Sequence, residues 1–306
     1  MKVVVVGLGV IGGSFAMALK EAGYDDVNAI DTNKETLVKA KNLGLIKEGS
    51  IDGAELIKDA DLIIISLYPR LVKDFIIKNK ENFKDGAIIT DATGIKKMFI
   101  EDVANVLPEN IDFVFGHPMA GREKKGIDFA DSKVFKGANY ILTPISRNKP
   151  ENLDKIENLA YELGFKRVKR ITPEYHDEMI GFTSQLPHAI AVALINSDKE
   201  GRDTGSFIGD SYRDLTRIAN INEDLWSELF LGNKENLLTS IENFEVELDK
   251  IKNAIKDDDT ETLKALFIKS NCNSNSFIDF NKFSLFPRKS SLHKSSFILA
   301  IRVKSL

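Results

Sequence analysis

Short runs of β-branched and aliphatic residues recur through the first half of the chain, separated by stretches in which apolar residues return at every third or fourth position. Val3 to Val6, Val27 to Ile30, Leu62 to Ile65, Ala87 to Thr90 and Phe113 to Phe115 are apolar almost throughout, the mark of strands buried on both faces. Ser14 to Glu21 and Lys34 to Asn42 read as amphipathic helices closed by glycines or turn residues. Buried strands alternating with helices predict a doubly wound α/β domain around a parallel sheet. Tyr140 to Thr143 and Lys166 to Arg170 are candidate further strands, which carries this domain to about residue 170.

The pattern then changes. Thr172 and Pro173 supply an N-cap and a proline at the first helical position. Leu237, Ile241, Phe244, Leu248, Ile251 and Ile255 keep helical spacing, so residues 171–270 are expected to form an all-helical second domain. From Asn271 to residue 306 the chain is rich in Ser, Asn and Phe and keeps neither period. It is expected to be an atypical, loosely ordered tail without a function.

Composition narrows the function. The net charge is −4, which argues against a nucleic-acid or anionic-membrane surface. One cysteine excludes a disulfide framework within the chain. The sequence has neither HEXXH nor paired CXXC spacing, so no metal is expected. The apolar opening imitates a signal peptide, but Gly7, Gly9 and Gly12 suit a tight turn better than a leader. The expected compartment is the cytoplasm.

Gly7-Leu8-Gly9-Val10-Ile11-Gly12 is a GxGxxG between a strand and a helix, and Asp31 closes the next strand. The glycines permit the turn and the close approach of a pyrophosphate to the helix start at Val10 and Ile11. Asp31 would accept from ribose hydroxyls and repel a 2′-phosphate, which favours NAD over NADP. A bare packing turn is the alternative. Ser66 and Leu67, after the Leu62 strand, fall where a cofactor would lie; Tyr68 and Pro69 read equally well as a plain turn.

His117, one of four histidines, sits in GHPMAG just after a strand. A histidine near neutrality can accept a hydroxyl proton as hydride leaves the same carbon, although a satisfied turn histidine would look the same. Arg213 and Arg217 are four apart and could share a helical face, which by itself reads as a solvated or ion-paired face with Asp214 between them to pair with one.

GHPMAGRE, DATGIK (91–96), SQLPHA (184–189) and YRDLTRIA (212–219), with the glycine fingerprint, resemble the prephenate dehydrogenases over about residues 1–270. That resemblance implies a Rossmann-type domain, NAD, a helical dimerisation domain and oxidative decarboxylation of prephenate to 4-hydroxyphenylpyruvate. It implies that His117 is the base and that Glu123 orders hydrogen bonds near it. His188 would face the substrate, Arg217 would bind a substrate carboxylate, and Arg213 would add a second cation. His176, in PEYHDEM, also matches a family stretch and reads as structural; Lys96 reads as a helix-start residue. Many relatives carry a serine where this chain has Gly94, and Thr93 is the candidate replacement hydroxyl. The helix Ala189 to Ile195 and the segment around Trp226, Leu229 and Phe230 suit a homodimer interface or a monomer's core. Arogenate as substrate, and an NAD-binding sensor without catalysis, are the competing readings.

Overall fold

The computed structural model describes residues 1–121 and 124–283, with side chains through 275. Met1–Glu242 form one compact unit, and the described residues from Asn243 to Phe283 belong to another.

In the first unit, β1 (Val3–Val6), β2 (Val27–Ile30), β3 (Gly49–Ser50), β4 (Leu62–Ile65), β5 (Ile88–Asp91) and β6 (Asp112–Val114) make a parallel sheet in the order β3-β2-β1-β4-β5-β6. Side chains alternate across it. Val3, Val5, Leu62 and Ile64 enter the core on one face, while Val4, Val6, Ile63 and Ile65 enter the core on the other. Both faces are covered by helices α1 (Val10–Glu21), α2 (Lys34–Asn42), α3 (Ala54–Ile57), α4 (Pro69–Asn79), α5 (Lys97–Ala104) and α6 (Pro150–Glu162). The strand order reverses between β1 and β4, which opens a crevice at the carboxyl ends of those strands. Ala87 falls outside β5 because its N–H is spent on a turn to the Lys84 carbonyl.

The two additional strands do not extend this sheet. β7 (Gly116–Pro118), β8 (Asn139–Leu142) and β9 (Arg167–Arg170) form a second sheet, antiparallel between β7 and β8 and parallel between β8 and β9. The chain passes from β6 into β7 through Phe115, whose carbonyl accepts the Thr143 N–H. The histidine of GHPMAG is therefore itself a strand residue, opposite Ile141.

Helices follow: α7 (Pro173–Ile180), a π turn at Gly181–Gln185, α8 (Leu186–Asn196), α9 (Asp210–Thr216), a 3₁₀ turn at Arg217–Ala219, α10 (Glu223–Gly232) and α11 (Lys234–Lys256). Pro187 has no N–H to continue an α-helical ladder, and the π turn lies immediately before it. The second unit contains the end of α11 and α12 (Thr260–Phe283), where Asp259 caps the helix by accepting from the N–H and hydroxyl of Thr262. This corrects the expectation of irregular chain from Asn271: the helix runs through it to Phe283. Ser and Asn cost an established helix only tenths of a kcal/mol each, about 0.5 relative to alanine, so a capped helix extends without an apolar stripe. His293 lies outside the described residues.

Candidate active site

The glycine loop after β1 makes the first half of the site. Gly7 has φ 84°, and a Cβ there would lie 2.7 Å from the Ser66 carbonyl oxygen. A Cβ at Gly12 would overlap the Gly7 carbonyl, whereas at Gly9 it would meet nothing within 4 Å. The loop is thus closed underneath and open above, where α1 starts at Val10 with no side chain capping it. Val10 and Ile11 present backbone N–H groups at the positive end of that helix. Asp31 accepts the Leu8 N–H at 2.7 Å and the Asn33 N–H at 2.8 Å, which holds its carboxylate at the crevice with lone pairs to spare. Leu67 packs at Gly7, and the buried Ser66 hydroxyl has no protein partner. An orphaned hydroxyl, an open glycine and an uncapped helix start fit a dinucleotide. Tyr68 starts α4 as its N-cap and is hydrogen-bonded through its hydroxyl to Asn222, so it is more than a turn residue.

His117 makes the second half. The residue before it is clamped: the Gly116 N–H donates to Asp91 at 2.9 Å, and the Gly116 carbonyl accepts from Lys96 Nζ at 2.6 Å. Lys96 is fully buried and also reaches Asp91 at 2.7 Å and the Thr93 carbonyl and hydroxyl at 3.0 and 2.9 Å. It starts α5 as its N-cap, as the sequence reading has it, and is in addition a buried ion-pair partner. The Thr93 hydroxyl bonds to Asp91 and Lys96, so it faces the ion pair instead of standing in for a hydroxyl at Gly94. A Cβ on Gly94 would be 3.8 Å from His117 Cε1 and 3.3 Å from Leu229.

His117 Nδ1 lies 2.8 Å from His176 Nε2, and His176 Nδ1 lies 2.7 Å from Asp177 Oδ1. The Asp177 carboxylate also accepts the N–H groups of Lys96 and Lys97, each at 2.8 Å, at the start of α5. A carboxylate only accepts, so His176 carries its proton on Nδ1 and leaves Nε2 as an acceptor. His117 must then donate from Nδ1, and its Nε2 keeps the lone pair. Burial, reinforced by His176 and Lys96, holds the His117 pKa well below the usual histidine value. Burial also lowers that of His176, opposed by its hydrogen bond to Asp177. The structural reading of His176 gains a specific partner, because its buried ring bonds that of His117. The two histidines are 59 residues apart in sequence, and only the His-Asp dipeptide hinted at the pair.

The helical residues are placed differently. His188 Nδ1 donates to the Ser184 carbonyl at 2.8 Å, and its ring lies against Trp226 with centroids 3.7 Å apart and the planes tilted by 32°. Trp226 shares α10 with Leu229, which covers Gly94. Arg213 is exposed and paired with Asp210, not with Asp214. Arg217 is also exposed but starts the 3₁₀ turn, because α9 ends at Thr216; the two arginines do not share one α-helix. Both elements pack on α8, which carries His188. Glu123 lies outside the described residues. Among the described residues no cluster of His, Cys, Asp and Glu could hold a metal ion.

Comparison with known proteins identifies one family. The prephenate dehydrogenase nucleotide-binding domain matches residues 15–169, and the prephenate dehydrogenase dimerization domain matches residues 172–269. A prephenate dehydrogenase of Lactococcus lactis subsp. cremoris is 34% identical over 278 residues, covering 87% of this chain and 74% of its own length. A cyclohexadienyl dehydrogenase of Zymomonas mobilis is 30% identical over 274 residues, covering 88% of this chain and 93% of its own. The crystal structure of prephenate dehydrogenase from Aquifex aeolicus, in complex with hydroxyphenyl propionate and NAD+, superposes with a TM-score of 0.81 at 31% identity. That superposition covers 91% of this chain and 98% of the other.

Proposed function

The chain belongs to the prephenate dehydrogenase family, and from that premise we propose how its residues carry out the reaction. It is an NAD-dependent dehydrogenase that converts prephenate to 4-hydroxyphenylpyruvate and carbon dioxide, a step of tyrosine biosynthesis. NAD supplies the hydride acceptor. Gly7, Gly9, Gly12 and the N–H groups of Val10 and Ile11 hold its pyrophosphate, Asp31 its ribose, and Ser66 and Leu67 the edge of the crevice. The observation that carries the mechanism is the orientation of His117, whose Nε2 lone pair is left over by the bonds behind it. Nε2 accepts the proton of the ring hydroxyl as hydride leaves the carbon bearing it. The bond to the ring carboxylate then breaks, its electron pair aromatises the ring onto the oxygen, and that oxygen takes the proton back. Prephenate is a dianion, so Arg217 and His188 are assigned to its carboxylates, with Arg213 as an outer cation. Glu123 keeps the ordering role implied by its sequence context. Residues 1–170 are the cofactor domain and 171–270 the substrate and dimerisation domain.

The test is nicotinamide reduction by the purified protein with NAD or NADP and with prephenate or arogenate. Signal with NAD and prephenate is expected. Signal with arogenate alone would replace the substrate and leave the base in place. Silence with both would favour the sensor reading. His117→Asn should lower turnover by about 10²–10⁴, the usual worth of a general base, at unchanged NAD affinity. Arg217→Ala should chiefly raise KM.

The protein is further proposed to be a cytoplasmic homodimer. The run Pro173–Asn196 has the length and composition of a membrane span, yet only 28% of its most apolar window is buried. It carries His176 and Asp177, which bond to His117 and to the N–H groups of Lys96 and Lys97 outside the run. A second copy would cover such a face. Light scattering should give twice the chain mass; a monomer at micromolar concentration would reject the assignment.

A further inference from the structure

The proton taken from the substrate lands on a histidine poorly placed to keep a charge. His117 faces the Lys96 ammonium and another imidazole, and no described carboxylate bonds to its ring. His176 differs. From α7 its Nδ1 is held by Asp177; from the other elements it faces His117 of β7, Lys96 before α5 and Asp91 at the end of β5. Its ring is 1% exposed, and it touches the base directly.

We propose that the two histidines work as a relay: as the substrate hydroxyl proton reaches His117 Nε2, the Nδ1 proton of His117 crosses to His176 Nε2. The imidazolium then forms at His176 against Asp177, and His117 stays neutral. The balance is simple. One proton enters the pair at one end and one N–H bond moves within it; no electrons are gained or lost by the protein. When the aromatic ring forms, the oxygen takes its proton back from Nε2 and the Nδ1 proton returns. Asp177 is fixed for this role by Lys96 N–H and Lys97 N–H, and its own carbonyl is held by Asn233 at 2.8 Å. His176 and Asp177 are thus positioning residues that act through His117.

This rests on the assignment of His117 as base, and the test separates the two. His176→Gln can still accept from His117 Nδ1–H and keep the ring in place, but it cannot take a proton. Turnover should fall by about 10²-fold, the lower end of a general base's worth, with KM for prephenate and NAD affinity little changed. The solvent-isotope dependence of turnover should change from two transferring protons to one. Wild-type turnover and isotope dependence in His176→Gln, with His117→Asn inactive, would overturn the relay alone; an active His117→Asn would overturn the base. A second measurement needs no variant. Ring ¹⁵N spectra of the wild-type protein, with four histidines to assign, should show imidazolium at His176 before His117 as pH falls. Charge appearing first on His117 would also overturn the relay.

Discussion

Lys96 and Asp91, both without solvent exposure, bond to the two polar groups of Gly116 and so fix the backbone from which His117 projects. Burial lowers the lysine's pKa, and Asp91 opposes that shift. Such a pair is costly to break on one side. Lys96→Met should destabilise the fold by about 3–5 kcal/mol by leaving Asp91 uncompensated, measured by urea unfolding, and should reduce turnover through His117. The double change Lys96→Met with Asp91→Leu should recover much of the stability but not the activity. An intact stability in the single variant would mean that Asp91 finds another partner. Thr93→Val removes the hydroxyl that bonds this pair and should cost about 1–3 kcal/mol while KM for prephenate stays unchanged. A raised KM instead would return Thr93 to the substrate. At this scale the sequence was legible where one residue type answers one local need: Gly7 and Gly12 are forced by backbone contacts, and Asp31 by its place after β2. The contacts of Lys96 with Gly116 and of His176 with His117 were not legible, because those partners lie 20 and 59 residues away in sequence.

Helix α10 joins the two halves of the site. Asn222 bonds Tyr68, Glu228 accepts the Arg70 N–H at 3.2 Å, Trp226 lies against His188, and Leu229 covers Gly94 beside His117. Trp226 is the single tryptophan, so its fluorescence reports on that contact. Prephenate should change its emission at saturating NAD, and His188→Ala should raise emission and abolish the response; an unchanged response would detach His188 from substrate binding. Five of the six strands of the main sheet were readable to within a residue because burial on both faces leaves an apolar run, whereas the two-residue, partly exposed β3 carries no such run. The β7-β8-β9 sheet was not readable, since nothing in a short strand states its partner. There the Tyr140 hydroxyl occupies the space a Gly116 Cβ would need, so the glycine of GHPMAG answers to a residue on the neighbouring strand. The half of α12 beyond residue 270 escaped notice for the opposite reason: it continues a helix started by a cap at Asp259 and has no strong stripe to betray it.

Across the whole molecule, the buried histidines tie the site to stability. The folded-state pKa values of His117 and His176 lie below the ordinary histidine value of about 6.5, which the unfolded chain keeps. Below that pH the unfolded state binds more protons than the folded one, so stability falls as pH drops; above it the two states bind equally and the effect vanishes. Each excess proton contributes a slope of about 1.4 kcal/mol per pH unit. The depressed carboxylates Asp26 and Asp61 act in another window: their contribution is present above the ordinary Asp value and is lost only as pH falls below it toward their lowered pKa values. Urea midpoints should therefore be flat from pH 8 to about 7 and fall between about 6.5 and 5, before those carboxylates protonate. The double variant His117→Asn with His176→Asn should flatten the fall in that interval while leaving the acid limb below it. A wild-type midpoint that holds steady through this interval would mean that the folded pair already carries its proton there, and that the base of the reaction is charged before substrate arrives.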